Sequence, residues 1–180
     1  MRLKIFKNKI FIFSLIACIF ASASLAGVRA FFPRKYYSYI TSVCDDTAIE
    51  PNLVLAIIKT ESSFNNEKAS PKGAIGLMQI MPETAQYVSN LYFAGEKIDI
   101  KNEEQNILIG VTYLIYLYNK FKDKKTALAA YNAGEGRVYE WLENKEYSLN
   151  GKTLDVIPFK ETSVYVKKVM KREKIYKLLY

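Results

Sequence analysis

The apolar residues that follow Tyr36 recur at helical spacing, which is typical of helices with one buried face. No run alternates between apolar and polar residues well enough to predict a strand. The sequence therefore predicts a mainly α fold, with a polar surface loop over residues 142–157. The predicted helices lie within residues 45–64, 82–92, 103–121, 124–132 and 158–180.

The first of these segments carries signals for its start and for its buried face. Pro51 suits the first turn of a helix, and Asp45, Asp46 and Thr47 before it are candidate caps. The predicted apolar stripe consists of Leu53, Val54, Ala56, Ile57 and Ile58. Further along, the glycines of "NAGEGRV" are expected to end the helix over residues 124–132.

A charge pattern separates the N-terminus from the rest of the chain. Residues 1–9 are rich in basic side chains, and residues 10–28 carry no charge. A basic flank before an apolar run directs the following chain across a membrane. We predict a leader and single-pass anchor in residues 1–32, and one extracytoplasmic domain in residues 33–180. A cleaved signal peptide and a lipoprotein signal ending at Cys18 are the alternatives.

Composition and charge narrow the chemistry that this domain can perform. The 180 residues suit one globular domain, and the net charge of +8 makes the surface attractive to polyanions. The export signal argues against nucleic acid as the partner. Histidine is absent, which excludes a Ser-His-Asp triad, a Cys-His pair and His-ligated zinc. We expect neither a metal nor any other cofactor.

Glu61, in the motif "ESSF", is the first candidate for chemistry. It follows Ile57 by four residues and Ile58 by three, so its side chain lies on the apolar stripe near the end of the helix. Burial and the negative end of the helix dipole both disfavour the ionised carboxylate. We therefore expect a raised pKa, as a general acid requires. A solvated glutamate beside a helix end is the alternative interpretation.

Three other segments hold candidate ligand-binding residues. The loop after Glu61 contains glycines that let a ligand approach the backbone, together with polar side chains that could bind it. "AAYNAG" and "PFKET" supply a phenol, an amide and a second carboxylate. The candidates are Ser70, Gln79, Met81, Tyr131, Asn132 and Glu161. Spacing alone does not bring these segments together, and Tyr131 is equally compatible with a core ring.

The motifs "ESSF", "ASPKGAIGLMQIMPETA", "NILIGVTYL", "ALAAYNAGEGRV" and "IPFKETSVYV" occur in this order. Together they resemble the soluble lytic transglycosylase (SLT, goose-type lysozyme-like) family of bacterial murein-cleaving enzymes. The resemblance covers roughly residues 37–172 and implies a lysozyme-like fold. It implies that Glu61 is the catalytic acid and base, and that the six other candidates contact the sugar chain. Ser163 departs from the family pattern, which often has arginine there.

The resemblance also implies a reaction that one carboxyl can perform. Such enzymes cleave the β-1,4 bond between N-acetylmuramic acid and N-acetylglucosamine, and they close a 1,6-anhydro ring without water. The expected partners are peptidoglycan glycan strands, with the membrane reached through the N-terminal segment, and we expect a monomer. A muramidase that uses water and an inactive wall-binding protein are the alternative functions.

Overall fold

A computed structural model describes residues 25–180 of the chain. Within these residues the fold is mainly helical, as predicted, and β structure is limited to isolated bridges of Ile75 with Ala69 and with Ile80. The main helices are α1 (Tyr37–Cys44), α2 (Pro51–Glu61), α3 (Pro82–Tyr92), α4 (Glu103–Phe121), α5 (Lys124–Ala133), α6 (Glu135–Glu143) and α7 (Lys160–Leu179). Residues 142–157 contain no helix beyond the end of α6, which confirms the predicted loop.

The start of α2 differs from the prediction. Pro51 occupies the first turn as expected, but the N-cap residue is Glu50 and no side chain caps the helix. The predicted caps at residues 45–47 are therefore wrong. The hydroxyl of Thr47 instead donates to the carbonyl of Cys44 at 2.7 Å. This bond closes the turn after α1, so the hydroxyl stabilises the connection rather than the next helix.

The glycines of "NAGEGRV" end one helix but do not end helical structure. Gly134 has φ of 88°, a left-handed conformation that terminates α5. Helix α6 begins at the next residue, Glu135, and was missed in the sequence. Its buried residues, Val138, Trp141 and Leu142, have helical spacing. The turn between α5 and α6 thus takes a single residue.

Helix α2 lies in the core. Residues 53–58 are each no more than 2% exposed. Leu55, which lies off the predicted stripe, is as buried as its neighbours, so protein surrounds this helix on all sides. Helix α1 packs on α2 and α4, and α4 also packs on α3 and α5. The core therefore fixes the direction of α2 and the position of its last residue, Glu61.

The described residues before Lys35 belong to a separate structural unit. Residues 25–31 of that unit are helical. Most of the predicted uncharged segment, residues 10–28, lies outside the described residues. Among residues 25–180, no helix is both long and apolar enough to cross a bilayer.

Candidate active site

The C-terminal end of α2 is bonded by side chains from two parts of the chain. The Ser62 hydroxyl donates to the carbonyl of Ile58 at 3.2 Å, and Arg172 of α7 donates to the carbonyl of Lys59 at 2.9 Å. The Ile58 carbonyl also accepts from the backbone N–H of Ser62 at 3.0 Å, so the Ser62 hydroxyl adds a second bond there. Arg172 bonds a carbonyl of the last turn, where partners within the helix are lacking. The serine that follows Glu61 therefore stabilises the helix end, and α7 anchors the same end from the other side.

The environment of Glu61 favours the neutral carboxyl. Burial raises the pKa of this half-buried side chain from 4.5 to about 7. The hydroxyl of Tyr165 and the ammonium group of Lys68 oppose the rise, because both stabilise the ionised form. The raised pKa confirms the sequence prediction, with burial as its main cause. Near neutral pH, Glu61 can therefore both donate and accept a proton.

Lys68 and Tyr165 approach Glu61 in different ways. The Lys68 ammonium also donates a hydrogen bond to the backbone carbonyl of Glu61. The Tyr165 hydroxyl is buried and has no partner at normal hydrogen-bond length within residues 25–180, although it lies close enough to stabilise the Glu61 carboxylate. Burial and the charge of Glu61 raise the pKa of Tyr165 well above its ordinary value. This phenol therefore stays protonated beside the carboxyl.

The loop over residues 68–81 uses its polar side chains to hold its own shape. The side-chain amide of Gln79 donates to the carbonyls of Lys68 and Gly76, both at 2.9 Å. The Ser70 hydroxyl oxygen accepts from the backbone N–H of Ala74 at 3.0 Å. The amide oxygen of Gln79 and the hydroxyl proton of Ser70 are not used in these bonds, so they are available to a ligand.

Asn106 of α4 holds this loop against the core. Its side chain is fully buried and makes three hydrogen bonds: it accepts from the N–H of Met78 at 2.8 Å and donates to the carbonyls of Ile75 and Ile100 at 2.9 and 2.8 Å. Gly76 lies against this amide, and a Cβ there would stand 2.3 Å from the Asn106 nitrogen. Only glycine allows this approach, at a φ of 80° that also favours glycine.

A cleft of about 760 Å³ opens beside Glu61. Of the seven predicted site residues, the fold brings five to this cleft. They are Glu61, Ser70, Gln79, Asn132 and Glu161. These residues come from α2, the loop over residues 68–81, α5 and α7, four segments that spacing alone could not connect. Among residues 25–180, no three His, Cys, Asp or Glu side chains are grouped to hold a metal ion.

The two remaining predicted residues lie next to the cleft rather than on its walls. Tyr131 donates to the carbonyl of Met78 at 3.1 Å, and its pKa is raised well above the ordinary value by burial and by the charge of Glu61. Its ring therefore connects α5 to the loop while its hydroxyl lies within electrostatic range of Glu61. Met81 is the N-cap residue of α3, and its side chain approaches Gly73. It is not among the cleft-lining residues.

The cleft also contains residues that the sequence analysis missed. Tyr165 follows Glu161 by four residues, so both lie on one face of α7. That spacing within "PFKETSVYV" could have identified the tyrosine. The other missed polar residues are Thr60, Lys68, Lys160 and Lys168. Lys160 and Lys168 line the cleft from α7.

Comparison of the sequence with models of known protein families identifies the family of this chain. A sequence model of the transglycosylase SLT domain matches residues 38–153. The chain belongs to this family. The SLT match ends before α7, so Glu161 and Tyr165 lie beyond it.

Other proteins resemble this SLT chain over most of its length. It is 38% identical over 152 residues to the soluble lytic murein transglycosylase of Salmonella typhimurium, covering 81% of this chain and 23% of that protein. It is 32% identical over 169 residues to the membrane-bound lytic murein transglycosylase C of Haemophilus influenzae, covering 87% of this chain and 43% of that protein. The chain therefore spans less than half the length of either relative.

Solved structures match the SLT fold as well. The crystal structure of the 70-kDa soluble lytic transglycosylase SLT70 from Escherichia coli superposes with a TM-score of 0.72 at 35% identity. The match covers 82% of this chain and 25% of that one. A complex of the 70-kDa soluble lytic transglycosylase with bulgecin A gives the same TM-score at 34% identity. The predicted lysozyme-like SLT fold is thus confirmed.

Proposed function

We propose that this SLT-family chain is a peptidoglycan lytic transglycosylase. It cleaves the β-1,4 bond between N-acetylmuramic acid and N-acetylglucosamine and leaves a 1,6-anhydro end on the muramic acid. The observation that carries this proposal is the half-buried Glu61 at the cleft, with a pKa of about 7. The activities named for its relatives in Salmonella typhimurium and Haemophilus influenzae support the same reaction class.

One carboxyl performs both proton transfers in this mechanism. Protonated Glu61 donates its proton to the glycosidic oxygen, the bond to the anomeric carbon breaks, and positive charge develops on the sugar. The substrate's N-acetyl group stabilises that charge. Ionised Glu61 then takes the proton of the 6-hydroxyl, whose oxygen attacks the anomeric carbon and closes the ring. The hydroxyl belongs to the same sugar, so its effective concentration is high and no water is consumed.

The surroundings of Glu61 support a single acid–base residue. Glu161 is the other carboxylate on the cleft wall, and its side chain is exposed on the first turn of α7. Glycosidases that use two carboxylates hold one of them as nucleophile or base near the first. We therefore propose different tasks for the two carboxyls: Glu61 transfers protons, and Glu161 accepts hydrogen bonds from sugar hydroxyls. Ser70, Gln79 and Asn132 contact the sugars from the opposite walls.

The remaining assignments rest on the family pattern and on the electrostatics of the cleft. Tyr131 donates its proton to the Met78 carbonyl and acts on Glu61 only through electrostatic range. Tyr165 instead places a protonated phenol where it can hydrogen-bond to the ionised form of Glu61. Met81 stays a predicted substrate contact, reached by a glycan strand that extends past the cleft. We further propose that residues 33–180 act outside the cytoplasmic membrane as a monomer, with residues 1–32 as leader and anchor. The uncharged run over residues 10–28 is the basis for that anchor.

The masses of the products test the reaction. Purified murein digested with the full chain is expected to release muropeptides that carry anhydro ends, because ring closure adds no water. Products heavier by one water would instead identify a muramidase. Release of no muropeptide, with the protein still retained by murein, would identify a wall-binding protein.

The charge of Lys68 is expected to set the upper pH limit of cleavage. Glu61 must be protonated to begin the reaction, so activity falls as pH rises through about 7. Lys68 lowers the pKa of Glu61, so Lys68→Met raises that pKa and moves the falling limb of the pH–rate profile to higher pH. Lys68→Arg keeps the charge and is expected to keep the limb in place.

A neighbouring lysine supplies the control for this experiment. Lys72 lies exposed in the same loop and does not line the cleft, so Lys72→Met removes equal charge away from Glu61. Its pH–rate profile should match that of the parent protein. If Lys68→Met leaves the falling limb where it was, Lys68 does not act on Glu61.

A further inference from the structure

Charge is distributed unevenly along the domain. Helix α7 carries seven basic and two acidic residues, whereas residues 36–159 carry twelve basic and sixteen acidic residues. The body of the domain is therefore net negative, and its C-terminal helix is net positive. A charge asymmetry of this kind indicates a surface that attracts an anionic partner.

Most of the exposed lysines of α7 form one line along the helix. Positions 160, 164, 167, 171, 174 and 178 are spaced three or four residues apart, so they follow one another along a single side of α7 over roughly 27 Å. All six side chains are exposed. This line, called the basic ridge below, consists of Lys160, Val164, Lys167, Lys171, Lys174 and Leu178.

The charge of the basic ridge is not neutralised by neighbouring acids. None of its four lysines forms an ion pair within residues 25–180. The two acids of α7 lie elsewhere on the helix. Glu173 has a side chain that is 6% exposed and pairs with Lys124 and Lys177 at 2.8 and 3.2 Å. Glu161 lies about 100° around the helix from Lys160, on the wall of the cleft. The basic ridge is thus a row of uncompensated positive charge.

The apolar members of the basic ridge indicate what kind of anionic partner it fits. Leu178 is 86% exposed and Val164 is 41% exposed, and Tyr180, at 42%, follows the end of the ridge. An anionic polymer in water gains nothing from an exposed leucine. The headgroup region of a bilayer accepts apolar side chains between lysines, and tyrosine is enriched at that interface. The combination therefore favours a lipid surface over a soluble polyanion.

We propose that the basic ridge docks on the surface of a bilayer that contains anionic phospholipid. Each lysine held near such a surface contributes about a fivefold gain in binding. The net negative body of the domain is repelled from the same surface, so one orientation is favoured. This contact is separate from the anchor proposed for residues 1–32, and it does not depend on the reaction at Glu61.

Docking through the basic ridge has a consequence for the cleft. Lys160 and Val164 belong to the ridge and also line the cleft beside Glu61. One end of the cleft therefore lies next to the docked surface. In this orientation the domain acts on polymer that lies close to the bilayer.

A tryptophan on the basic ridge tests the contact. Trp141 is the only tryptophan of the chain and is 5% exposed, so Leu178→Trp adds one exposed fluorophore to a constant background. The full chain with this change is reconstituted in vesicles of phosphatidylcholine alone, or of equal parts phosphatidylcholine and phosphatidylglycerol. Both contain a lipid with a fluorescence quencher at its headgroup. We expect strong quenching only in the anionic vesicles, and its loss at 1 M salt, where the Debye length falls to about 3 Å.

Lysine variants show whether charge causes the docking. Lys167→Gln, Lys171→Gln and Lys174→Gln together remove three charges of the ridge at positions that do not line the cleft. At about fivefold for each lysine, the equilibrium for docking should fall by about 100-fold, and the quenching of Leu178→Trp should be lost. Arginine at the same three positions keeps the charge and should keep the quenching.

A second triple variant controls for total charge. Glutamine at three exposed lysines outside α7 removes the same charge from the net negative body and should leave the quenching unchanged. Unfolding curves of every variant should match that of the parent, because exposed side chains contribute little to stability. The control lysines are Lys101, Lys145 and Lys152.

The outcomes separate docking from the proposed reaction. Purified murein contains no lipid, so the variant with glutamine at 167, 171 and 174 should cleave it at the parent rate. Equal quenching in neutral and anionic vesicles, or quenching that survives the glutamine changes, overturns the docking and leaves the reaction standing. Binding of soluble polyphosphate without any response to anionic vesicles would assign the basic ridge to an anionic polymer, which also overturns it. The quenching result holds whether or not the parent protein cleaves murein.

Discussion

Replacing Glu61 with glutamine is expected to lower murein cleavage by about 10²- to 10⁴-fold, the range that general acid–base catalysis supplies. Glutamine keeps the shape of the side chain but can neither protonate the glycosidic oxygen nor take the proton of the 6-hydroxyl. Both steps of the proposed mechanism therefore stop together. Release of anhydro muropeptides, followed by mass spectrometry, measures the loss.

The same substitution is expected to stabilise the fold above neutral pH. The pKa of Glu61 rises from 4.5 to about 7 on folding, so the folded state holds this proton more tightly than the unfolded state. The contribution of Glu61 to stability is fully present below pH 4.5 and is lost as pH rises from 4.5 to about 7, where the buried carboxyl ionises. At pH 8, glutamine avoids the free-energy cost of holding an ionised carboxylate at this buried position, which is at most about 3 kcal/mol. Urea unfolding at pH 8 and pH 4 measures the difference.

A nearby glutamate provides the matched control. Glu67 is exposed six residues further along the chain, and it lines no part of the cleft. Glu67→Gln removes the same charge and should change neither cleavage nor the pH dependence of stability. Anhydro products formed by Glu61→Gln at the parent rate would assign the proton transfers to another group and overturn the mechanism.

Much of the helical fold could be predicted because local signals agree with burial. Pro51 and Pro82 mark the starts of α2 and α3, and apolar spacing predicts the length of α4. Helix α6 was missed because Gly134 ends α5 and the chain re-enters a helix at once, with no polar segment between. The caps before α2 were wrongly predicted because the Thr47 hydroxyl bonds back to Cys44, three residues earlier, and not forward to the first turn of α2.

The site was predictable only in part. The position of Glu61 on the apolar face of α2 indicated a raised pKa, and the structure confirms it. The convergence of residues near 70, 79, 132 and 161 depends on how α5 and α7 pack, and periodicity carries no information about that packing. Asn106 shows most clearly which part of the site could not be predicted from the sequence. As a polar residue inside an apolar helix it looked like part of a motif, but its three bonds join segments up to 31 residues apart.

Replacing Asn106 with leucine is expected to be among the most damaging changes in this chain. Leucine has a similar volume and cannot bond, so the N–H of Met78 and the carbonyls of Ile75 and Ile100 lose their side-chain partner inside the core. The Ile75 carbonyl keeps the N–H of Ile80 at 3.0 Å, so two buried groups are left without a partner. Each costs about 1–3 kcal/mol, so the loss should reach about 2 kcal/mol or more. That is a large share of the stability of an ordinary domain. Urea unfolding measures it.

Asn106→Leu should also lower catalysis, because the hydrogen bonds of Asn106 set the shape of the loop that carries Ser70 and Gln79 to the cleft. We expect cleavage by Asn106→Leu to fall even at temperatures where the protein stays folded. Asn106→Asp keeps the acceptor for Met78, and its protonated form can still donate one of the two other bonds, so at acidic pH it should lie between leucine and the parent. Asn90→Leu, an exposed change on α3, should be nearly neutral. If Asn106→Leu costs less than about 1 kcal/mol, the loop is held by packing alone and the asparagine does not set the geometry of the cleft.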